Sequence, residues 1–389
     1  MERLKVLFIT AWYPTPEQPV VGIFVREHAK AVQHYDDVAV LHVAGVSDKL
    51  SGACRIERET DPGLTEGIPT YRLWFRRSPI PHTSFFFLLW GIFRASRHIV
   101  ARGFRPDIVH AHVHSVGISA VLLAKILRVP LVFTEQSTVF PSKSLSKTGF
   151  WQAKIGFERA SVVLPVSHSL EKAISEYGIN ANTRVVPNVV DTAVFTGNAG
   201  SPSHSTTHLL FVGLLDTEHK KGVPVLLKAL GQLKGGQKAW HLDIVGDGPA
   251  RDEYEQLVTE LELKDRVTFH GMQPKQKVAE WMNRADFFVL PSVRENLPCV
   301  ITEAMASGLP IVSTLADGIP EMVDADTGIL VTPGDVSALS SALDEMMDTQ
   351  HRYDRTAILE KSRRYSQETV GQTLHAIYQD SIRGEVISS

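Results

Sequence analysis

The chain has 389 residues but only two cysteines, Cys54 and Cys299. With no Cys-x-x-Cys and no Cys/His cluster, neither a disulfide framework nor a zinc site is indicated, and a reducing compartment is expected. Long apolar runs are also missing. The longest, Phe85 to Phe93, falls far short of the roughly 18 residues that suggest a membrane span. Met1 to Thr10 is too short and too little apolar for a signal-peptide core, and reads as a first buried strand. The net charge of -3 provides no global attraction for nucleic acid or anionic lipid. No repeat of solenoid length is present. After the first strand stands Ala11-Trp-Tyr-Pro14 instead of Gly-x-Gly-x-x-Gly, which argues against a dinucleotide oxidoreductase. Asp324-Ala-Asp326 places two acids at alternate positions without companion ligands, so it reads as a capping loop, and no metal is expected.

What is present describes a globular protein: 43% hydrophobic and 21% charged residues, in a chain long enough for two domains. Short β-branched runs alternate with helical patterns, which predicts α/β architecture with parallel sheets. In the first half the expected strands are 6–10, 38–43, 108–111, 131–134, 162–166 and 185–187, with helices at 119–127 and 169–177. In the second half they are 209–213, 242–245, 267–269, 287–290, 311–313 and 329–331, with helices at 223–233, 251–261, 277–284 and 300–307. The polar stretch 196–208 reads as a linker. The expected domains are therefore 1–195 and 209–360, two Rossmann-like units facing a central cleft. A helical segment, 361–389, is expected to return to the N-terminal domain, with Tyr365, Val370, Leu374, Ile377 and Tyr378 as apolar points. Ligands of such sheets gather beyond the carboxyl ends of the strands, where helix N-termini and loop amides converge.

The most specific segment runs from Pro291 to Val312. A buried strand ends at Leu290, Pro298 suits the start of a helix, and Gly308 with Pro310 suits its stop. Glu295 precedes this helix and Glu303 lies inside it. Eight helical residues span about 12 Å, so the two carboxylates can address separate parts of an extended ligand. The plainer alternative is an acidic helix start with Glu303 solvated.

Glu295, seven intervening residues, Glu303 and then Ala304-Met-Ala-Ser-Gly308-Leu-Pro-Ile-Val312 together resemble the retaining glycosyltransferases of family 4, with the GT-B fold. Further blocks agree in order along nearly the whole chain. They are Trp12-Tyr-Pro14 with Gly22-Ile-Phe-Val-Arg-Glu-His28, Asp107-Ile-Val-His-Ala-His112, Val186-Pro-Asn-Val-Val-Asp191, Leu210-Phe-Val-Gly213 through Lys221-Gly222, Ile244-Val-Gly246-Asp-Gly-Pro249 and His270-Gly271. Bacterial polysaccharide-assembly members carry similar blocks. The resemblance implies a nucleotide-diphosphate sugar as co-substrate, with Glu295 by the transferred sugar and diphosphate, Glu303 on the ribose, and Gly22 letting an N-terminal loop approach the donor. Gly213, Gly246, Lys220, Lys221 and Arg294 complete the expected donor site, with the lysines balancing the charge of the leaving group.

Two departures stand out. Leu214 occupies a position where many relatives carry arginine, and Gln136 stands in Phe133-Thr-Glu-Gln-Ser137 where many carry histidine. Gln136, Glu135 and His112 are the expected acceptor-side groups, and Glu295, Lys221, His112 and Gln136 the catalytic candidates. Glu135 reads equally as a helix cap. His110 and His112, near a strand end, are expected to point to opposite faces, with His112 toward the ligand. The expected partners are the nucleotide sugar and a glycan or lipid-linked acceptor, with no cofactor and no nucleic acid. The apolar run 85–93 lies among Arg72, Arg76, Arg77, Arg94, Arg97, Arg102 and Arg105. That composition fits a cytoplasmic protein resting on the inner membrane surface, and equally a buried helix with a solvated basic rim. Two competing functions share the pattern: a non-catalytic sugar-nucleotide-binding protein, and an epimerase or phosphorylase of the same architecture.

Overall fold

The computed structural model describes residues 3–47, 50–80, 83–197, 206–233 and 238–385. In chain order, the elements before residue 190 are β1 (Lys5–Thr10), α1 (Ile23–Gln33), β2 (Asp37–Val46), β3 (Cys54–Arg58), α2 (Pro62–Thr65), β4 (Thr70–Arg76), α3 (Thr83–Ala101), β5 (Ile108–His112), α4 (Gly117–Leu127), β6 (Leu131–Glu135), α5 (Lys147–Phe157), β7 (Val162–Pro165) and α6 (His168–Ser175). There follow β8 (Thr207–Val212), α7 (Val223–Leu233), β9 (Trp240–Val245), α8 (Arg251–Glu260), β10 (Val267–Phe269), α9 (Lys275–Arg284), β11 (Phe287–Leu290), α10 (Cys299–Ala306), β12 (Ile311–Thr314), β13 (Gly328–Val331), α11 (Val336–Thr349), α12 (Arg355–Ser362) and α13 (Gln367–Arg383).

The chain divides into two compact units, Met1–Val189 with Gln367–Ser389, and Val190–Ser366. The divisions fall a few residues from the expected 195 and 360. Val190 donates its amide to the Tyr365 carbonyl at 2.8 Å and forms a bridge with Ser366, so the outgoing and returning strands stay together until then. Of the expected linker, 198–205 lies outside the described residues, and Thr207 and His208 already belong to β8.

The first unit is built on a seven-stranded sheet of order β3-β4-β2-β1-β5-β6-β7, parallel except for β3 against β4. Its central strands are legible in the sequence because both faces are covered, which makes them continuous apolar runs. The edge strand β3 and its neighbour β4 break that pattern with Arg55, Glu57, Arg58, Arg72 and Arg76, and the sequence alone did not reveal them. Residues 185–187, expected as a strand, only lie extended beside β7, where the Val186 amide donates to the Pro165 carbonyl at 3.0 Å.

Helix α13 packs on α1 in this unit. Val370, Leu374, Ile377 and Tyr378 recur at helical spacing and are buried in one core with Phe8, Val25, Ala29 and Val32. Two polar contacts fix the packing: the Tyr378 hydroxyl lies 2.6 Å from His110 Nδ1, and His375 Nδ1 lies 2.9 Å from both Asp36 oxygens.

Helix α3 buries Gly91, Ile92, Ala95, Ser96 and Ile99 and leaves Phe86 66% and Trp90 53% exposed, with Phe85 and Phe93 also exposed. It is therefore amphipathic, with its aromatic groups outward and Arg94 and Arg97 beside them. Arg72 must be removed from the expected set of surface cations. It is buried and ion-paired with Glu59, as β4 turns it inward. Among the described residues no helix is long and apolar enough to cross a membrane.

The second unit has a six-stranded sheet of order β10-β9-β8-β11-β12-β13, every pair parallel. Its elements match the expected ones to within a few residues at each end.

The Tyr378 hydroxyl bond is deeply buried, so Tyr378→Phe leaves His110 without one of its two partners. The expected loss is about 1–3 kcal/mol of stability. Chemical denaturation followed by circular dichroism checks it, and an unchanged midpoint would contradict the role given to this contact.

Candidate functional site

In the second unit the loops after β8, β9 and β11 meet at the carboxyl ends of the strands. Gly246 adopts φ +140° and presses its Cα against the Gly213 carbonyl, where a Cβ would come within 1.9 Å. Its amide donates to the Gly271 carbonyl at 2.9 Å. Backbone packing thus accounts for Gly246: the glycine lets two loops touch.

Above this layer Lys221 and Glu295 come together from positions 74 residues apart, with Lys221 Nζ on Glu295 Oε1. Glu295 is buried, Lys221 partly so, and Ser292 Oγ donates to the same carboxylate oxygen at 3.3 Å. The loop bearing Glu295 is braced at several points. The Glu295 amide donates to Asp317 Oδ2 at 3.0 Å, the Val293 amide to the Lys220 carbonyl at 2.8 Å, and Thr314 Oγ1 to the Ser292 carbonyl at 2.6 Å. Asp317 also lies 3.6 Å from Arg294. No motif in the sequence marked Asp317, which acts on the site only through the fold.

Lys220 is not part of this pair. Its side chain is half exposed and its Nζ lies 2.8 Å from Glu218. Leu214 is 47% exposed beside the fully buried Leu215. Glu303 sits half-buried within α10, as its spacing from Pro298 predicts.

In the first unit, His110 and His112 lie on the same face of β5, with ring centroids 4.3 Å apart. The expectation of opposite faces is corrected by the strand period of two, which aligns positions i and i+2. Phe8 stacks on His112 at 4.7 Å, and His28 from α1 approaches it at 5.5 Å. Burial, with His110 and His28 nearby, pushes the His112 pKa well below the usual imidazole range. The ring is therefore neutral, yet neither of its nitrogens has a hydrogen-bond partner among the described residues. A buried, unsatisfied imidazole marks a place where a ligand hydroxyl can bond. His28, within the quoted block that starts at Gly22, was not singled out in the sequence.

Of its two expected roles Glu135 takes the cap. Its Oε1 accepts from the Gln136 and Ser137 amides at 2.9 and 2.7 Å, and its Oε2 meets the His114 amide at 2.7 Å and His114 Nδ1 at 3.1 Å. A carboxylate offers about four lone-pair sites, and all four are used internally. Glu135 holds the turns after β5 and β6 and, through the His114 amide, caps the 3-10 turn His114–Val116 that leads into α4. Gln136 follows on the same turn, half-buried.

Comparison with known proteins finds matches to both units. The model of Glycosyltransferase Family 4 matches residues 21–194, and that of the group 1 glycosyl transferases matches 206–349. TuaC of Bacillus subtilis, assigned to teichuronic acid biosynthesis as a glycosyltransferase, is 27% identical over 87% of this chain and 88% of its own length. WcaL of Escherichia coli, assigned to colanic acid biosynthesis, is 32% identical over 63% of this chain, and the chain spans 62% of its length. Among solved structures, Anabaena HepE in complex with UDP and glucose superposes with a TM-score of 0.75 at 21% identity, covering 97% of this chain and all of that one. Sucrose-phosphate synthase from Thermosynechococcus elongatus gives 0.72 at 21% identity, over 98% of this chain and all of that one.

The neutral histidines give a pH prediction. Burial lowers both His28 and His42 to about 4. Below pH 6.5 the unfolded chain takes up protons that these rings refuse in the fold. Stability therefore falls as pH drops from about 6.5 toward 4, by roughly 1.4 kcal/mol per histidine per pH unit at most. Urea midpoints at pH 7, 5.5 and 4.5 measure this, and a flat series would contradict the burial of neutral rings.

Proposed function

The chain belongs to the family 4 glycosyltransferases, and from that premise we propose that it moves a sugar, with retention, from a nucleoside diphosphate donor to a glycan or lipid-linked acceptor in polysaccharide assembly. The observation that carries this reading is the pairing of Lys221 with Glu295 at the carboxyl ends of a parallel sheet. HepE, of the same fold, binds UDP and glucose, which supports a nucleotide sugar as the donor class.

In the proposed reaction the bond between the anomeric carbon and the diphosphate breaks, and the acceptor oxygen bonds to that carbon on the same face. The acceptor's proton passes to the departing phosphate oxygen. Lys221, supplemented by Arg294, offsets the charge that gathers on the diphosphate, and no protein-bound metal is invoked. Glu295 orients sugar hydroxyls while holding Lys221 in place, and Glu303 takes the ribose hydroxyls. His112 and Gln136 serve the acceptor as neutral hydrogen-bonding groups. Glu135 positions their turn and takes no part in binding. No carboxylate is assigned as nucleophile.

A donor panel followed by nucleotide release, with membrane extract as acceptor source, tests the reading. Glu303→Ala should weaken donor binding about 10- to 100-fold, the worth of a charged hydrogen bond. Glu295→Gln should lower turnover about 100-fold with a smaller effect on binding. Wild-type behaviour in both variants would remove the assignment. Binding of a donor with no transfer from any would favour the non-catalytic alternative.

The exposed aromatic side of α3, with Arg94 and Arg97 beside it, supports peripheral contact with an anionic membrane surface on the cytoplasmic side. Sedimentation with vesicles containing anionic lipid should therefore exceed that with neutral vesicles. Replacing Phe86 and Trp90 by Ser should abolish the difference, and co-sedimentation that ignores both changes would end this part of the proposal.

A further inference from the structure

The connection between β1 and α1, residues 11–22, is held from within by one guanidinium. Arg72 on β4 is only 2% exposed, and all three of its nitrogens are engaged. Nε donates to Glu59 Oε2 at 2.6 Å, one terminal nitrogen to His42 Nδ1 at 2.9 Å, and the other to the Pro14 carbonyl at 2.7 Å. His42 stands opposite Arg72 in the β2–β4 ladder, which brings the two side chains together. Burial, with the Arg72 charge added, lowers the His42 pKa to about 4, so its ring is neutral and Nδ1 accepts from the guanidinium. The same ring is hydrogen-bonded to the Ala11 backbone. One cation thus ties down both ends of Ala11-Trp-Tyr-Pro14, directly at Pro14 and through His42 at Ala11.

Gly22 rests on that short segment. It has φ +74°, and a Cβ there would come within 2.2 Å of the Trp12 carbonyl oxygen and 2.6 Å of the Tyr13 nitrogen. Thr10 Oγ1 closes the preceding turn, accepting from the Trp12 amide and donating to the Trp12 carbonyl, both at 3.0 Å. The position of Gly22 and of the start of α1 is therefore referred to Trp12 and Tyr13, and theirs to Arg72. An ion pair with Glu59 alone could be made by lysine. Bonding a carboxylate, an imidazole nitrogen and a carbonyl at once requires the planar fork of arginine.

We infer that Arg72 is a positioning residue for glycosyl transfer, setting the placement of the substrate loop 11–22 through Pro14 and His42. The inference rests on the glycosyltransferase reading and on Gly22 belonging to a loop that serves substrate. It identifies the requirement for arginine at a position where composition alone suggests a surface cation.

The test compares Arg72→Gln and Arg72→Lys with wild type, by hydrogen exchange and by transfer kinetics with the donor found in the panel. Arg72→Lys keeps a cation for Glu59, so it carries the test if Arg72→Gln does not fold by circular dichroism. Expected in Arg72→Lys is roughly tenfold faster amide exchange across 12–24, with β5 and β11 unchanged. Turnover should fall about 10- to 100-fold, the scale of a misplacement near 1 Å, while nucleoside diphosphate affinity stays within about threefold. Millimolar guanidinium should restore part of the turnover of Arg72→Gln, which a general loss of folding would not allow. Wild-type exchange or wild-type turnover in Arg72→Lys would overturn the inference and leave the glycosyltransferase reading intact. Absence of transfer by the wild-type protein from every donor would remove that reading and this inference with it.

Discussion

A charge placed among apolar strands is tolerated only where partners have been arranged for it in advance. This constraint shapes both units. Glu135 is fully buried and survives because two turns aim three amides and an imidazole at it. Arg72 is buried because a carboxylate, a neutral imidazole and a carbonyl surround it. Glu295 is buried against Lys221 and Ser292. In each case the partners come from different segments of the chain, so satisfying the charge also fixes how those segments lie.

The solutions differ in what they leave over for chemistry. Glu135 has no lone pair free and is closed off as structure. Lys221 remains partly exposed, so its ammonium can interact with a further anion while still touching Glu295. His112 is the inverse case, a neutral ring whose polar atoms are buried without partners among the described residues. Desolvation keeps it neutral, and a neutral imidazole can both donate and accept one hydrogen bond. An ionised pair in one unit and an unsatisfied neutral ring in the other suit different tasks: opposing phosphate charge, and orienting hydroxyls.

Much of this was legible in the sequence where packing dictates composition. Strands covered on both faces must be apolar throughout, so β1, β5, β6, β8, β9, β11 and β12 announce themselves. The stripe Val370, Leu374, Ile377 and Tyr378 announces a helix that needs a hydrophobic partner. The edge strand β3 and its neighbour β4 do not, because charged residues such as Arg55, Glu57, Arg72 and Arg76 dilute the pattern. Family resemblance put Lys221 and Glu295 in one expected donor site but did not pair them, since 74 residues separate them and no local rule joins them. Asp317 and His114 had no signal at all, as each works by reaching a backbone amide or a carboxylate that the fold delivers.

Arg72 shows why the remainder stays hidden. In the sequence it is one of several arginines flanking an aromatic run, and its neighbours Arg94 and Arg97 do face outward. What separates it is register. As a residue of β4 opposite His42, it shares a face of the sheet with that ring, and Glu59 is near enough to neutralise it. A one-residue slip of β4 would turn every side chain to the other face and carry the cation away from His42, Glu59 and Pro14. The pairing of β2 with β4, to which apolar positions such as Leu41, Val43, Tyr71 and Leu73 contribute, therefore decides whether residue 72 can anchor the loop that leads to Gly22.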